Sequence, residues 1–257
     1  MRRFSIMLIN LLTFIIIAPG VFAEGGSSDP NQHFYNGNSW YAKGEYQKAV
    51  ESYLSLIDRG FENGELYYNI GNGFFKLGKY GYAVLSYEKA KKFIPGDSDL
   101  KSNLEYTRSF LETPQYDRAE NPALRLMAAS VSSLNLSMLT MLTLGIYLGL
   151  CIMIMLYIFN PVFAKKFRIV VILFVVIFTY TMTVFLYRYY NEEILKRGIV
   201  VVKEAECKYE PIDKSMTYFT VKEGEDVVIL DTKDGWQELR RMDGKSGWVD
   251  KESVQEI

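Results

Sequence analysis

His33 is the only histidine in 257 residues, and Cys151 and Cys207 are the only cysteines. A histidine-based triad and a zinc quartet both lack their side chains. The two cysteines fall in stretches of opposite character, one uncharged and one polar, so they imply no disulfide framework. No nucleophile sits beside a base at interpretable spacing, so no catalytic residue, metal ligand or cofactor is assigned. What remains is non-covalent recognition. Asn38 and Asn72 stand 34 residues apart in similar surroundings, and each amide offers both a donor and an acceptor. Near the other end, Trp236 and Trp248 suit platforms for a proline helix or a sugar. The alternative, favoured at least for Trp248, is that they fill a small barrel. Cys207 is either a small apolar core residue or an exposed thiol.

The asparagines belong to a repeat. When "NGNSWYAKGEYQKAVESY" (36–53) is set against "IGNGFFKLGKYGYAVLSY" (70–87), eight residues recur. Gly37, Asn38, Gly44, Tyr46, Ala49, Val50, Ser52 and Tyr53 reappear as Gly71, Asn72, Gly78, Tyr80, Ala83, Val84, Ser86 and Tyr87. A period of this length with small residues at these offsets resembles the tetratricopeptide repeat. Gly37 with Ala49, and Gly71 with Ala83, leave room where two helices cross. Trp40, Tyr46, Tyr53, Phe74, Tyr80 and Tyr87 fill the volume around them. Gly44 and Gly78 suit the turn between helices, and Pro95 ends the second unit. Gly73 and Gly81 have no role in this pattern.

The resemblance implies that the first helix of each unit faces a concave surface. That face would carry Phe34, Asn38 and Tyr41 from one unit, with Tyr68, Asn72 and Phe75 from the next. There the asparagines would bond the backbone of an extended peptide while the rings flank its side chains. Packing between repeats would use the same residue types, so both roles stay open. Phe34 stands where a carboxylate-clamping lysine would be expected, which disfavours recognition of a C-terminal carboxylate. "GDSDLKSNLEYTRSFLET" then reads as a capping helix. Two units and a cap fall short of the roughly three repeats that such arrays need. The array is therefore expected to gain stability from a partner or from self-association as a homo-oligomer.

The opening "MRRFSIMLINLLTFIIIAPGVFA" has a basic start, an apolar run and a small-residue end, so residues 1–23 are expected to be an export signal. A linker (24–31) leads into the array (32–113). A linker and interfacial helix (114–133) follow, the helical part being mildly amphipathic. Residues 134–160 and 169–188 are expected to cross the bilayer, joined by a loop at 161–168. Lys165, Lys166 and Arg168 place that loop in the cytoplasm by the positive-inside rule, leaving both polar regions outside. The expected location is thus a bacterial inner membrane with its N- and C-terminal domains in the periplasm. Gly145 and Gly149 offer a small-residue face, with the second span as the favoured neighbour.

From 198 to 257, short β-branched runs alternate with Glu-Gly, Asp-Gly and Ser-Gly turns, arguing a β-barrel of about five strands. Gly235-Trp236, Asp243-Gly244 and Gly247-Trp248-Val249 resemble the bacterial SH3-like domain. Asp250 and Ser253 stand where eukaryotic SH3 grooves carry proline and tyrosine, which puts proline-helix binding in doubt. This region holds 14 acidic and 9 basic side chains, so a basic partner fits better than nucleic acid. The fold class is thus mixed and multi-domain: a helical repeat array, a transmembrane hairpin and a small all-β barrel.

The order of these parts, and above all "NGELYYNIGNGFFKLGKYGYAVLSYEKAKKFIPGDSDLKSNLEYTR", resembles the BatE family of bacterial aerotolerance (Bat) operons. That resemblance implies a non-catalytic envelope protein linked to oxidative or general stress tolerance. Its partners would be von Willebrand A-domain Bat proteins and a MoxR-type ATPase, beside the lipid bilayer itself. The expected function is a membrane-anchored scaffold for protein–protein interaction. The alternative is a cell-wall protein that docks peptidoglycan through its barrel.

Overall fold

The computed structural model describes residues 30–113, 122–159 and 161–257. The expected export signal, most of the first linker and the start of the second lie outside the described residues. Five helices come first: α1 (Pro30–Ala42), α2 (Tyr46–Ile57), α3 (Gly64–Lys76), α4 (Tyr80–Phe93) and α5 (Ser98–Arg108). The hairpins α1–α2 and α3–α4 repeat at the sequence period. Gly44 and Gly78 turn each hairpin with φ of +77° and +73°, a conformation that costs glycine little. Asn63 and Asp97 cap α3 and α5, each accepting from a backbone N–H at 2.8 Å.

The crossing glycines meet tyrosines. A Cβ on Gly71 would lie 2.5 Å from Tyr87 Cε1, and one on Gly37 would collide with the Tyr53 ring. Ala49, Ala83, Tyr53 and Tyr87 are all buried beside them, with Leu66 and Ile70 completing the layer. Gly73 serves the seam between hairpins, where a Cβ would sit 2.5 Å from Val50 Cγ2.

Helix α6 (Pro122–Ala129) leads into two long apolar helices, α7 (Leu136–Phe159) and α8 (Pro161–Tyr189). At 1.5 Å per residue they span about 36 and about 43 Å, enough to cross about 30 Å of hydrocarbon. The segment expected as a loop, 161–168, is instead the start of α8. Pro161 suits a first helical turn, where its missing N–H has no partner to lose. Leu139, Thr143 and Leu150 of α7 and Thr181 and Val184 of α8 are buried in the hairpin. The threonine hydroxyls donate to carbonyls of their own helices at 2.8 and 3.1 Å, so no hydroxyl is stranded. Of the two expected small contacts, Gly149 lies against Phe174, whereas Gly145 faces open space.

A π-turn at Tyr190–Ile194 then gives way to strands β1 (Arg197–Val200), β2 (Glu204–Lys208), β3 (Thr217–Lys222), β4 (Asp226–Lys233), β5 (Trp236–Arg241), β6 (Ser246–Asp250) and β7 (Val254–Glu256). All pairings are antiparallel, in the order β3-β2-β6-β5-β4-β1-β7. Seven strands replace the expected five or so because β2 has no β-branched residue to mark it, and because the run at 218–230 is two strands, β3 and β4, parted by the turn at Glu223-Gly224. Cys207 and Phe219 from one end of that order share a core with Val200 and Val254 from the other, so the sheet curls around it. Cys207 is fully buried there, and burial pushes its thiol up to about 12. It is a core residue and a poor nucleophile at neutral pH.

The β-domain is docked on the helices. Ile199 and Val201 join the array's own apolar cluster, so the short array obtains extra cover from within the chain. Gly81 marks the contact: its N–H donates to Glu223 Oε1 at 2.7 Å, and a Cβ would lie 2.9 Å from Val200 O. Around it runs an ion network. Arg108 reaches Glu88 at 3.1 Å and Asp226 at 3.0 Å, and Arg197 holds the other Asp226 oxygen at 2.7 Å.

Burial alone would raise the Glu88 pKa, but the charges of Lys91, Arg197 and Arg108 outweigh it and hold the carboxyl well below its usual 4.5. A depressed acid contributes stability that is complete above its unfolded value and is lost as pH falls through the folded one. Burial raises Glu225, an effect of opposite sign, so the informative quantity is a difference. The gap in melting temperature between wild type and Glu88→Gln is expected to be full at pH 6 and to shrink progressively below pH 4.5. A gap that stays constant to pH 3 would count against the network.

Candidate functional site

Helices α1, α3 and α5 carry the candidate face. Tyr53 Oη, from α2, donates to Asn38 Oδ1 at 2.6 Å, and Tyr87 Oη, from α4, donates to Asn72 Oδ1 at 2.7 Å. The same bond recurs in both hairpins across 15 residues. Burial pushes the Tyr53 phenol up to about 12 and the Tyr87 phenol higher still, so both remain protonated donors at any working pH. Asn69 Nδ2 also approaches Asn38 Oδ1 at 3.5 Å, and Asn103 Nδ2 donates to Asn72 Oδ1 at 3.1 Å and to Tyr68 Oη at 2.8 Å.

The oxygen of each repeated amide is therefore fixed by packing, and its nitrogen is left over. Among the described residues, neither Asn38 Nδ2 nor Asn72 Nδ2 has a hydrogen-bond partner. Asn38 is exposed and Asn72 half-buried. Each amide thus holds two N–H donors in a set direction without a conformational search. Phe34, Tyr41, Tyr68 and Phe75 are half-buried around them. Phe34 tilts against Tyr53 at 5.9 Å, Tyr41 meets Tyr46 edge-on at 5.2 Å, and Tyr68 lies 6.0 Å from Tyr87. The packing role is met by the oxygen end of each amide, and the nitrogen end takes no part in it.

The face continues further than the repeat. Phe75 touches Tyr80, Tyr106 and Phe110 at 5.5–5.6 Å, and Tyr106 and Phe110 stand edge to face at 5.0 Å. Tyr106 is 57% exposed and Phe110 47%, a costly display for rings that only fill space. Asn103, Tyr106 and Phe110 were not read as site residues. Their i, i+3, i+7 spacing, close to that of Phe34, Asn38 and Tyr41, was the available signal.

Trp248 does not fill the β-domain. Its neighbours Gly247 and Val249 point inward, so alternation turns Trp248 out. It lies opposite Lys208 on β2 and Glu238 on β5, and Trp236 pairs with Asp250. Both indoles are half-buried on this outer face, with Lys208 Nζ 5.2 Å from the Trp236 ring centre. Asp250 is occupied as a cap, accepting from Glu252 N at 2.8 Å. Among the described residues no group of three or more histidine, cysteine, aspartate or glutamate side chains could hold a metal ion. No protein-family model matches the chain, and comparison with curated proteins finds no match.

Proposed function

We propose that this protein is a membrane-anchored scaffold whose helical face binds an extended segment of another envelope protein. In this reading the two hairpins are tetratricopeptide-type units, the β-domain is SH3-like, and the whole is a BatE-type component of an aerotolerance or envelope-stress system. The observation that carries it is the repeated pair of asparagine amides, each oriented by a buried tyrosine and each with free N–H donors on an aromatic face. Donors spaced along such a face match carbonyls along an extended strand, and the rings supply pockets for its side chains. Bat-type von Willebrand A-domain proteins and a MoxR-type ATPase are the partners this reading proposes, at the outer face of the inner membrane. The chain does no chemistry of its own in it.

The test is photocrosslinking in cells from residue 35 or 106, exposed positions beside the amides. Crosslinks to defined envelope proteins are expected, and Asn38→Ala with Asn72→Ala should cut their yield by roughly an order of magnitude, the loss of two hydrogen bonds of about 1 kcal/mol each. Unchanged yield in that double variant would sink the reading. A second reading, docking of cell-wall glycan, is favoured by the placement of Trp236 and Trp248 on one outer face. Sedimentation of the solubilised full chain with purified wall, lost on Trp236→Ala, would support it over the first.

A further inference from the structure

A cavity of about 490 Å³ lies where the array, α6, the end of α8 and the edge of the sheet meet. That volume falls within the range of about 300–1,000 Å³ usual for small-ligand sites. Its walls fix its depth. Tyr187 and Arg188 close the C-terminal end of an apolar helix, and Arg125 and Ala128 come from α6 beside it. With α7 and α8 across a bilayer, this is the level at which lipid phosphates lie.

Most charges around the cavity are already paired. Arg188 holds Glu192 at 2.7 Å and the Leu134 carbonyl at 2.5 Å. Lys91 pairs with Glu88 at 3.4 Å, Lys92 donates to Ile257 O at 3.1 Å, and Arg197 is held by Asp226. Four lining groups are different. Among the described residues, Arg125, Lys196, Glu193 and Glu256 make no ion pair and no side-chain hydrogen bond. Two free cations would suit any phosphate. Two carboxylates in the same cavity, Glu193 and Glu256, the second also within the field of Lys89, would repel a purely anionic headgroup and attract an ammonium.

We propose that this cavity binds the headgroup of a phospholipid bearing a primary amine. Arg125 and Lys196 take its phosphodiester, Glu193 and Glu256 take its ammonium, and its acyl chains enter the bilayer beside α6, where Leu126 is 76% exposed. The bound lipid then touches array, hairpin and β-domain at once. The inference rests on α7 and α8 crossing a membrane and is independent of the peptide-binding face.

The experiment is native mass spectrometry of the full chain released from nanodiscs with equal parts phosphatidylethanolamine, phosphatidylglycerol and phosphatidylcholine. One retained phosphatidylethanolamine per chain is expected. Arg125→Gln with Lys196→Gln should lower that retention about tenfold, the effect of losing charged hydrogen bonds. Glu193→Gln with Glu256→Gln should shift the retained lipid toward phosphatidylglycerol, a ratio read within one sample and so insensitive to how much protein folds. Wild-type protein that retains no lipid, retains all three equally, or binds soluble glycerophosphoethanolamine as tightly as the lipid overturns the proposal. So does a glutamine pair at 193 and 256 with unchanged selectivity. Crosslinks from the asparagine face should survive all four substitutions, which separates failure here from failure of the scaffold reading.

Discussion

Arg108→Ala is expected to destabilise the protein by about 3 kcal/mol, the lower end of what breaking a buried ion pair costs, and to loosen the β-domain from the helices. Among the described residues, Arg108 is the side chain that touches carboxylates of both parts, Glu88 at 3.1 Å on α4 and Asp226 at 3.0 Å on β4. Those carboxylates are 8% and 15% exposed, so neither can recover its lost partner from water. Arg197 would still hold Asp226, and Lys91 would still stand 3.4 Å from Glu88, which with the 29% exposure of Arg108 itself places the loss at the low end. The exposed Lys48–Glu45 pair gives the contrast: both side chains are about half exposed, and Lys48→Ala should cost under about 1 kcal/mol. Melting of the solubilised protein, followed with limited proteolysis, checks both. One wild-type transition should become two in Arg108→Ala, with cleavage appearing between α8 and β1. A single unshifted transition would mean that the Arg108 ion pairs add nothing and that the apolar contact of Ile199 and Val201 carries the docking alone.

The parts of this fold that were legible in the sequence are those whose reasons are local or repeated. Identities at a period of 34 residues marked both hairpins, their turn glycines and the glycine–tyrosine crossings. Gly73 and Gly81 were opaque because their reasons lie elsewhere in the chain. One accommodates Val50 of the preceding hairpin, and the other accommodates the backbone at Val200 and Val201. No pattern within a helix encodes a surface that arrives more than a hundred residues later. The start of α8 at Pro161 was missed because charge was read as loop, although basic residues are equally at home on a helix emerging from lipid. For the candidate face, Asn38 and Asn72 stood out as duplicates. Their orientation was also encoded, since Tyr53 and Tyr87 recur with them, but the fifteen-residue spacing reads as a contact only once the hairpin is closed. The third strip, Asn103 with Tyr106 and Phe110, belongs to no repeat and so had no duplicate to reveal it.

Tyr87→Ala should cost about 3–5 kcal/mol, the usual price of emptying an aromatic site in a core. Its side chain is 1% exposed and lies over Gly71, where a Cβ would come within 2.5 Å of the ring. Gly71→Ala alone gains about 1 kcal/mol of helix propensity but must push that ring aside, at about 1–3 kcal/mol. Combined, the two changes no longer conflict, since the added methyl enters space the ring has left. The double variant is therefore expected to be more stable than the sum of the singles by about 1–3 kcal/mol, and chemical denaturation of all four proteins measures that coupling. Additive losses would mean that glycine and tyrosine were retained for unrelated reasons. Tyr87→Phe separates packing from recognition at the same position. It keeps the ring, loses one hydrogen bond worth about 1 kcal/mol, and leaves the Asn72 oxygen held by Asn103 Nδ2 alone, at 3.1 Å. Melting should barely move while crosslinking yield from the α1–α3–α5 face falls, because what the hydroxyl chiefly provides is the direction of two N–H bonds rather than the stability of the hairpin.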